Sequence, residues 1–242
     1  MKKKIITLLV MGTLVFSLMA CQKKEEPAKE DTATQTDDAK TESTGTETEE
    51  ADSTDTIDST TFPNITVDYA KKELSFEATV NGTYFTEGTR HGIVAADGSN
   101  GEKSVLRAVP KALDYEAALT ALGLKGDTAV GLDDMKSSPA DNIRNTGDPL
   151  EVFVKWDGQD EIPFNEILKA DKDFDWNVVV TGNKEVQTST GTGCILCLDS
   201  CAAGISANNI PVGSATSDIV FNGNADVLPA DGTTVTVIVR AK

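Results

Sequence analysis

Leu74, Phe76, Ala78 and Val80 alternate with polar neighbours, the period-two pattern of a strand with one face buried. Asn81-Gly82 follows as a turn and predicts a hairpin into Thr83 to Glu87. Leu150 to Trp156, ended by Asp157-Gly158, and Trp176 to Thr181, ended by Gly182-Asn183, predict further strands. Ile219 to Phe221 and Val235 to Val239 extend the series toward the C-terminus, around Pro229 and Gly232.

Helical spacing is rarer. Ala117, Ala118, Ala121 and Leu122 recur as one helical face, with Asp114 placed to cap it and Gly123 to stop it. Pro163 to Leu168 reads as a short amphipathic helix with proline in its first turn. These elements predict an α+β domain that is mostly antiparallel β and sandwich-like, with one or two inserted helices.

The first twenty residues follow a different rule. Three lysines, an apolar run from Ile5 to Phe16 and Leu18-Met19-Ala20-Cys21 have the order of a secretory signal peptide. The run is shorter than the ~20 residues that span a bilayer. Leu18-Met19-Ala20-Cys21 resembles a bacterial lipobox, which implies removal of residues 1–20, acylation of Cys21 and an extracytoplasmic chain lipid-anchored to the cell membrane. Two buried acyl chains give stable anchoring without a membrane-spanning helix.

From Gln22 to Thr60 the chain holds 13 acidic residues, four lysines and ten threonines, with Ile57 as its one large aliphatic residue. So little apolar surface does not offset the entropy of ordering, and residues 21–60 are expected to form a disordered, self-repelling tether. The domain, residues 61–242, is expected to be a single unit. It carries −11 of the chain's −17, the signal lysines adding three positive charges and the tether nine negative ones. That acidity argues against nucleic acid as a partner.

The concentrated chemistry lies in Gly193-Cys194-Ile195-Leu196-Cys197-Leu198-Asp199-Ser200-Cys201. Offsets of 0, 3 and 7 place Cys194, Cys197 and Cys201 along one stripe of a helix, with Thr192 as its cap and Gly204 as its end. In the first turn of such a helix the Cys194 thiol would be acidified and nucleophilic. Three readings stay open: a structural disulfide with one free thiol, thiol redox exchange, or a soft-ligand site for zinc, copper or an iron–sulfur cluster. Closed zinc and cluster sites take four ligands, and His91, the sole histidine, is the candidate fourth. A leader without twin arginine implies export of an unfolded chain, which favours a metal acquired outside over a cluster assembled in the cytoplasm.

Arg90-His91-Gly92-Ile93-Val94, Asp114 to Gly123 and Leu228-Pro229-Ala230-Asp231-Gly232-Thr233 together resemble the YdjY-like domain family. The block from Gly193 to Cys201 is similar to one found in the clostridial branch of that family. Some members carry an acidic residue after the histidine, where this chain has Gly92. The resemblance implies a ferredoxin-like or ferredoxin-associated protein, and so electron transfer with a redox protein partner. It supplies no catalytic residue.

Phosphate loops, paired-histidine zinc motifs and nucleophile elbows are absent from the sequence, and no motif assigns an enzymatic activity. Asp97-Gly98-Ser99-Asn100-Gly101-Glu102 reads as a surface turn rather than a calcium loop, because Lys103 and the acidic spacing do not match one. The expectation is an anchored lipoprotein with a metal or redox site at Cys194, Cys197 and Cys201. The alternative is a binding or scaffolding lipoprotein whose cysteines staple a loop.

Overall fold

The computed structural model describes residues 62–128 and 130–242. The expected signal peptide, Cys21 and the whole of the expected tether lie outside the described residues. Fourteen strands are found among those described: β1 (Ile65–Asp68), β2 (Glu73–Val80), β3 (His91–Ala95), β4 (Ser104–Ala108), β5 (Gly126–Thr128), β6 (Thr146–Gly147) and β7 (Pro149–Lys155), then β8 (Ile162–Pro163), β9 (Leu168–Ala170), β10 (Val178–Val180), β11 (Cys194–Cys197), β12 (Ser206–Asn208), β13 (Phe221–Gly223) and β14 (Thr234–Ala241). The α-helices are α1 (Ala112–Ala121), α2 (Lys184–Thr190) and α3 (Ser214–Ser217).

Eight strands close into a barrel in the order β2, β14, β7, β10, β12, β11, β3, β4, and β4 returns to β2. The closing seam pairs Ala78 with Ala108, Thr79 with Arg107 and Val80 with Leu106, while the other edge of β2 pairs with β14. This corrects the sandwich-like α+β expectation: the described residues are mostly β, a closed barrel with three short helices among them. Alternation shows that one face of a strand is buried. It says nothing about whether that face meets a second sheet or its own sheet curled round. Closure removes the unpaired edges that an open sheet leaves exposed. Most neighbours run antiparallel; β3 with β4 and β11 with β12 run parallel.

The barrel strands follow their apolar pattern. Leu74, Phe76, Ala78 and Val80 in β2 are buried, as are Leu150, Val152 and Val154 in β7 and Val235, Val237 and Val239 in β14. Each such aliphatic side chain contributes about 1.5–3 kcal/mol of burial. α1 packs Tyr115, Ala118 and Leu119 inward and ends as expected at Gly123, whose φ of 80° no other residue type adopts cheaply. The Gly123 and Leu124 amides turn back onto the carbonyls of Thr120 and Leu119.

Other local expectations shift. After Asn81-Gly82 the chain forms a 3₁₀ turn over Gly82–Phe85, not a hairpin strand. Asp231 decides this: its carboxylate accepts the Gly82 N–H at 2.8 Å, and a side chain at Gly82 would collide with it. Phe164–Ile167 is likewise one 3₁₀ turn rather than an α-helix. No helix of the described residues is long and apolar enough to cross a membrane.

Candidate cysteine and histidine site

The segment carrying Cys194, Cys197 and Cys201 is not a helix. α2 stops at Gly191, in the left-handed conformation, and Gly193 has φ of 79°. Cys194–Cys197 then enters the barrel as β11, between β3 and β12. The tertiary slot between two strands outweighs the helical offsets, and with the helix goes the expected acidification of Cys194.

A regular strand would send Cys194 and Cys197, three residues apart, to opposite faces. The pairing with β3 is broken twice: Cys194 faces Val94, Leu196 faces Ile93 and Cys197 faces His91, with a register shift at each step. Such irregularities re-aim side chains. Ile195, Leu196 and Leu198 therefore join the main core, while Cys194, Cys197 and Cys201 share a smaller buried cluster with Val94 and Ala207. Met135 packs against that cluster.

Cys197 and Cys201 form a disulfide, and Cys194 is a buried free thiol. His91 enters the site from β3. Its Nδ1 lies 3.6 Å from Cys194 Sγ, and the ligating atoms of His91, Cys194 and Cys197 all fall within 4.8 Å of one another. Of the four residues singled out in the sequence, these three converge. Cys201 is joined to them through its bond to Cys197.

The environment holds both titratable members uncharged. Burial pushes the Cys194 thiol up from its ordinary value, and the hydrogen bonds of Thr192 and Asn100 and the charges of Arg90 and Lys103 oppose it only in part. Burial, aided by the charges of Arg90 and Lys103, lowers His91 to about 4. At neutral pH a protonated thiol faces a neutral imidazole.

Several supporting residues were not visible in the spacing. Asn100 donates to Cys194 Sγ at 3.8 Å from a loop whose backbone lies against Gly191 and Thr192; the Ser99 and Asn100 amides bond their carbonyls at 3.0 and 3.1 Å. The surface-turn segment from Asp97 to Glu102 thus walls the site. Gly204, expected as a helix end, instead donates its N–H to Cys201 Sγ at 3.0 Å. A Cβ there would sit 2.9 Å from Cys197 Sγ and 3.1 Å from Cys201 Sγ. Asn145 accepts the Cys201 N–H at 2.8 Å, and Asn183 donates to the Cys201 carbonyl at 2.6 Å. Asp199, inside the loop, is fully buried and paired with Arg90 at 2.8 Å.

An iron–sulfur cluster does not fit this donor set. Such clusters take four protein ligands, four thiolates or, in Rieske centres, two thiolates and two imidazoles. Here two sulfurs and one imidazole converge, and aliphatic side chains and the Gly204 backbone close in around them. A single soft ion fits better, since thiolate and imidazole together suit zinc and copper(I).

Comparison with known proteins points the same way as the motifs. The YdjY domain model matches residues 65–240. The Uncharacterized protein YdjY of Escherichia coli (strain K12) is 36% identical over 177 residues, covering 71% of this chain and 76% of that protein. No solved structure matches the chain.

Proposed function

This chain belongs to the YdjY family, and within that family we propose that it is an extracytoplasmic lipoprotein, anchored through Cys21, whose barrel carries a cysteine redox centre. The observation that carries the reading is the placement of a free thiol, Cys194, within 4.8 Å of Cys197, itself half of the Cys197–Cys201 disulfide. Reduction would take two electrons and two protons from a dithiol or from two thiols in succession. The S–S bond breaks, Cys197 and Cys201 become thiols, and the donor leaves as a disulfide. The Gly204 N–H stands ready to stabilise the sulfur of Cys201 as it gains charge. A protein thiol donor or acceptor outside the membrane is the partner class this chemistry needs. The acidity of the domain argues against nucleic acid as a partner.

Burial of all three sulfurs favours a second reading, in which the disulfide staples the loop and the domain serves as a binding or scaffolding module. One experiment separates the two. Thiols are counted on the folded chain equilibrated in dithiol redox buffers of graded potential. A redox centre opens above about −300 mV, whereas a structural staple stays closed to lower potentials. A bond that stays closed throughout, with Cys194 unreactive, overturns the redox reading.

A further inference from the structure

We propose that reduction of Cys197–Cys201 uncovers a zinc site made of His91, Cys194 and Cys197, so that the disulfide acts as a gate on metal binding. The inference rests on the reading that the disulfide is reducible. In the oxidised chain Cys197 has no charge to offer and its sulfur is bonded to Cys201. Two of the three donors are in place, and the third is blocked.

Convergence of these donors is built by the fold rather than by local sequence. Cys197 lies opposite His91 in the β11–β3 register, and the shifts at Leu196 bring Cys194 to the same side. Asn100 Nδ2, 3.8 Å from Cys194 Sγ, supplies the kind of outer hydrogen bond that orients a metal-bound thiolate. The His91 imidazole presents its Nδ1 toward Cys194, 3.6 Å from its Sγ, so a ring nitrogen is already placed among the sulfurs.

Charge selects the ion. Two thiolates and one neutral imidazole carry two negative charges in an apolar pocket walled by Val94, Ala207 and Met135. A divalent ion cancels them, and a buried site is cheapest when its net charge vanishes. Sulfur and imidazole donors in that number are within the range zinc accepts, leaving one position for water or the released Cys201. On binding, the Cys194 and Cys197 thiols lose their protons to solvent, and Zn²⁺ takes both sulfur lone pairs and that of the imidazole.

The test is zinc uptake by the full chain carrying Cys21→Ser, so that the domain cysteines are the sole thiols. It is purified without oxygen and measured by equilibrium dialysis with elemental analysis, with cobalt(II) as an optical stand-in. After reduction by a phosphine and desalting, the chain is expected to bind zinc stoichiometrically, at least about tenfold tighter than the oxidised chain. Cys201→Ser, which cannot form the disulfide yet keeps all three donors, is expected to bind without any reductant. Adding His91→Gln to it is expected to weaken binding at least about tenfold and to alter the thiolate-to-cobalt charge-transfer band.

Equal uptake by oxidised and reduced chains, or no uptake by folded Cys201→Ser, overturns the proposal. Should Cys201→Ser fail to fold, reduced chains with and without His91→Gln are compared, and an unchanged affinity overturns it. A disulfide that no reductant opens, alongside zinc binding by Cys201→Ser, removes the gate together with the redox reading and leaves only the donor set.

Discussion

The guanidinium of Arg90 meets the carboxylate of Asp199 at 2.8 Å, inside the loop that the Cys197–Cys201 disulfide closes. The other Asp199 oxygen accepts the Gly213 and Ala215 amides, both at 3.1 Å. One buried carboxylate thus ties the residue that leads into β3, the cysteine loop and the start of α3 together. Burial still pushes Asp199 above its ordinary value, the Arg90 charge and the amides pulling the other way. Removing one partner of such a pair strands the other charge. Asp199→Ala is expected to destabilise the domain by about 3–5 kcal/mol, read from urea unfolding midpoints. A change below about 1 kcal/mol would mean that Arg90 finds water instead.

Gly204 lies against both sulfurs of the disulfide, and its own amide bonds Cys201. The contacts a methyl group would meet, at 2.8 Å from the Ser206 carbonyl and 2.9 Å from Cys197 Sγ, leave no room without movement. Gly204→Ala is therefore expected to cost roughly 1–3 kcal/mol through overpacking. Thiol counts should show the disulfide formed in a smaller fraction of chains. Wild-type stability and full oxidation in this variant would show that the loop has slack.

His91 sets a pH dependence. Its value falls from 6.5 in the unfolded chain to about 4 in the fold, with Arg90 and Lys103 as the charged groups that face it. Its contribution is fully present above 6.5 and is lost as pH falls through about 4, by at most roughly 3 kcal/mol. Asp199, raised by burial, works in the opposite sense: its contribution is present at acid pH and is lost as pH rises through its folded value. Unfolding of the oxidised, metal-free chain from pH 7 to pH 4 should show the loss, and His91→Gln should flatten it. An identical slope in the variant would assign the dependence to other groups.

The proposed anchoring through Cys21 makes a prediction independent of the barrel. Cys21→Ser is expected to move the protein from the membrane pellet to the soluble extracytoplasmic fraction and to abolish incorporation of labelled fatty acid. Barrel folding, followed by near-ultraviolet circular dichroism, should be unaffected. Retention in the pellet at high salt would point to another means of attachment.

The elements most legible in the sequence were those whose burial is one-sided. β2 and β7 alternate in burial because each shows one face to a core and the other outward, and β14 keeps that alternation only up to Val237, beyond which Ile238 is buried as well. β11 does not alternate. All four of its residues are buried, so the alternation is lost and the helical offsets of its cysteines were the only periodic signal left. The turn at Gly82 was misread for a similar reason: Asn81-Gly82 is a hairpin signal locally, and the residue that bends it otherwise, Asp231, lies 149 positions away.

What the sequence determined by itself is what depends on composition and on local order: the apolar and acidic stretches that precede the domain, the family motifs, the strand-rich core and the residues with chemistry to offer. Tertiary structure decided how those residues are used. Barrel closure put His91 on the strand beside the cysteines, irregular pairing turned Cys194 and Cys197 to one side, and the disulfide took Cys197 and Cys201 out of the free set. Each of these is a contact between segments distant along the chain or an interruption of regular pairing. Spacing rules see neither, because they assume an unbroken period within one element.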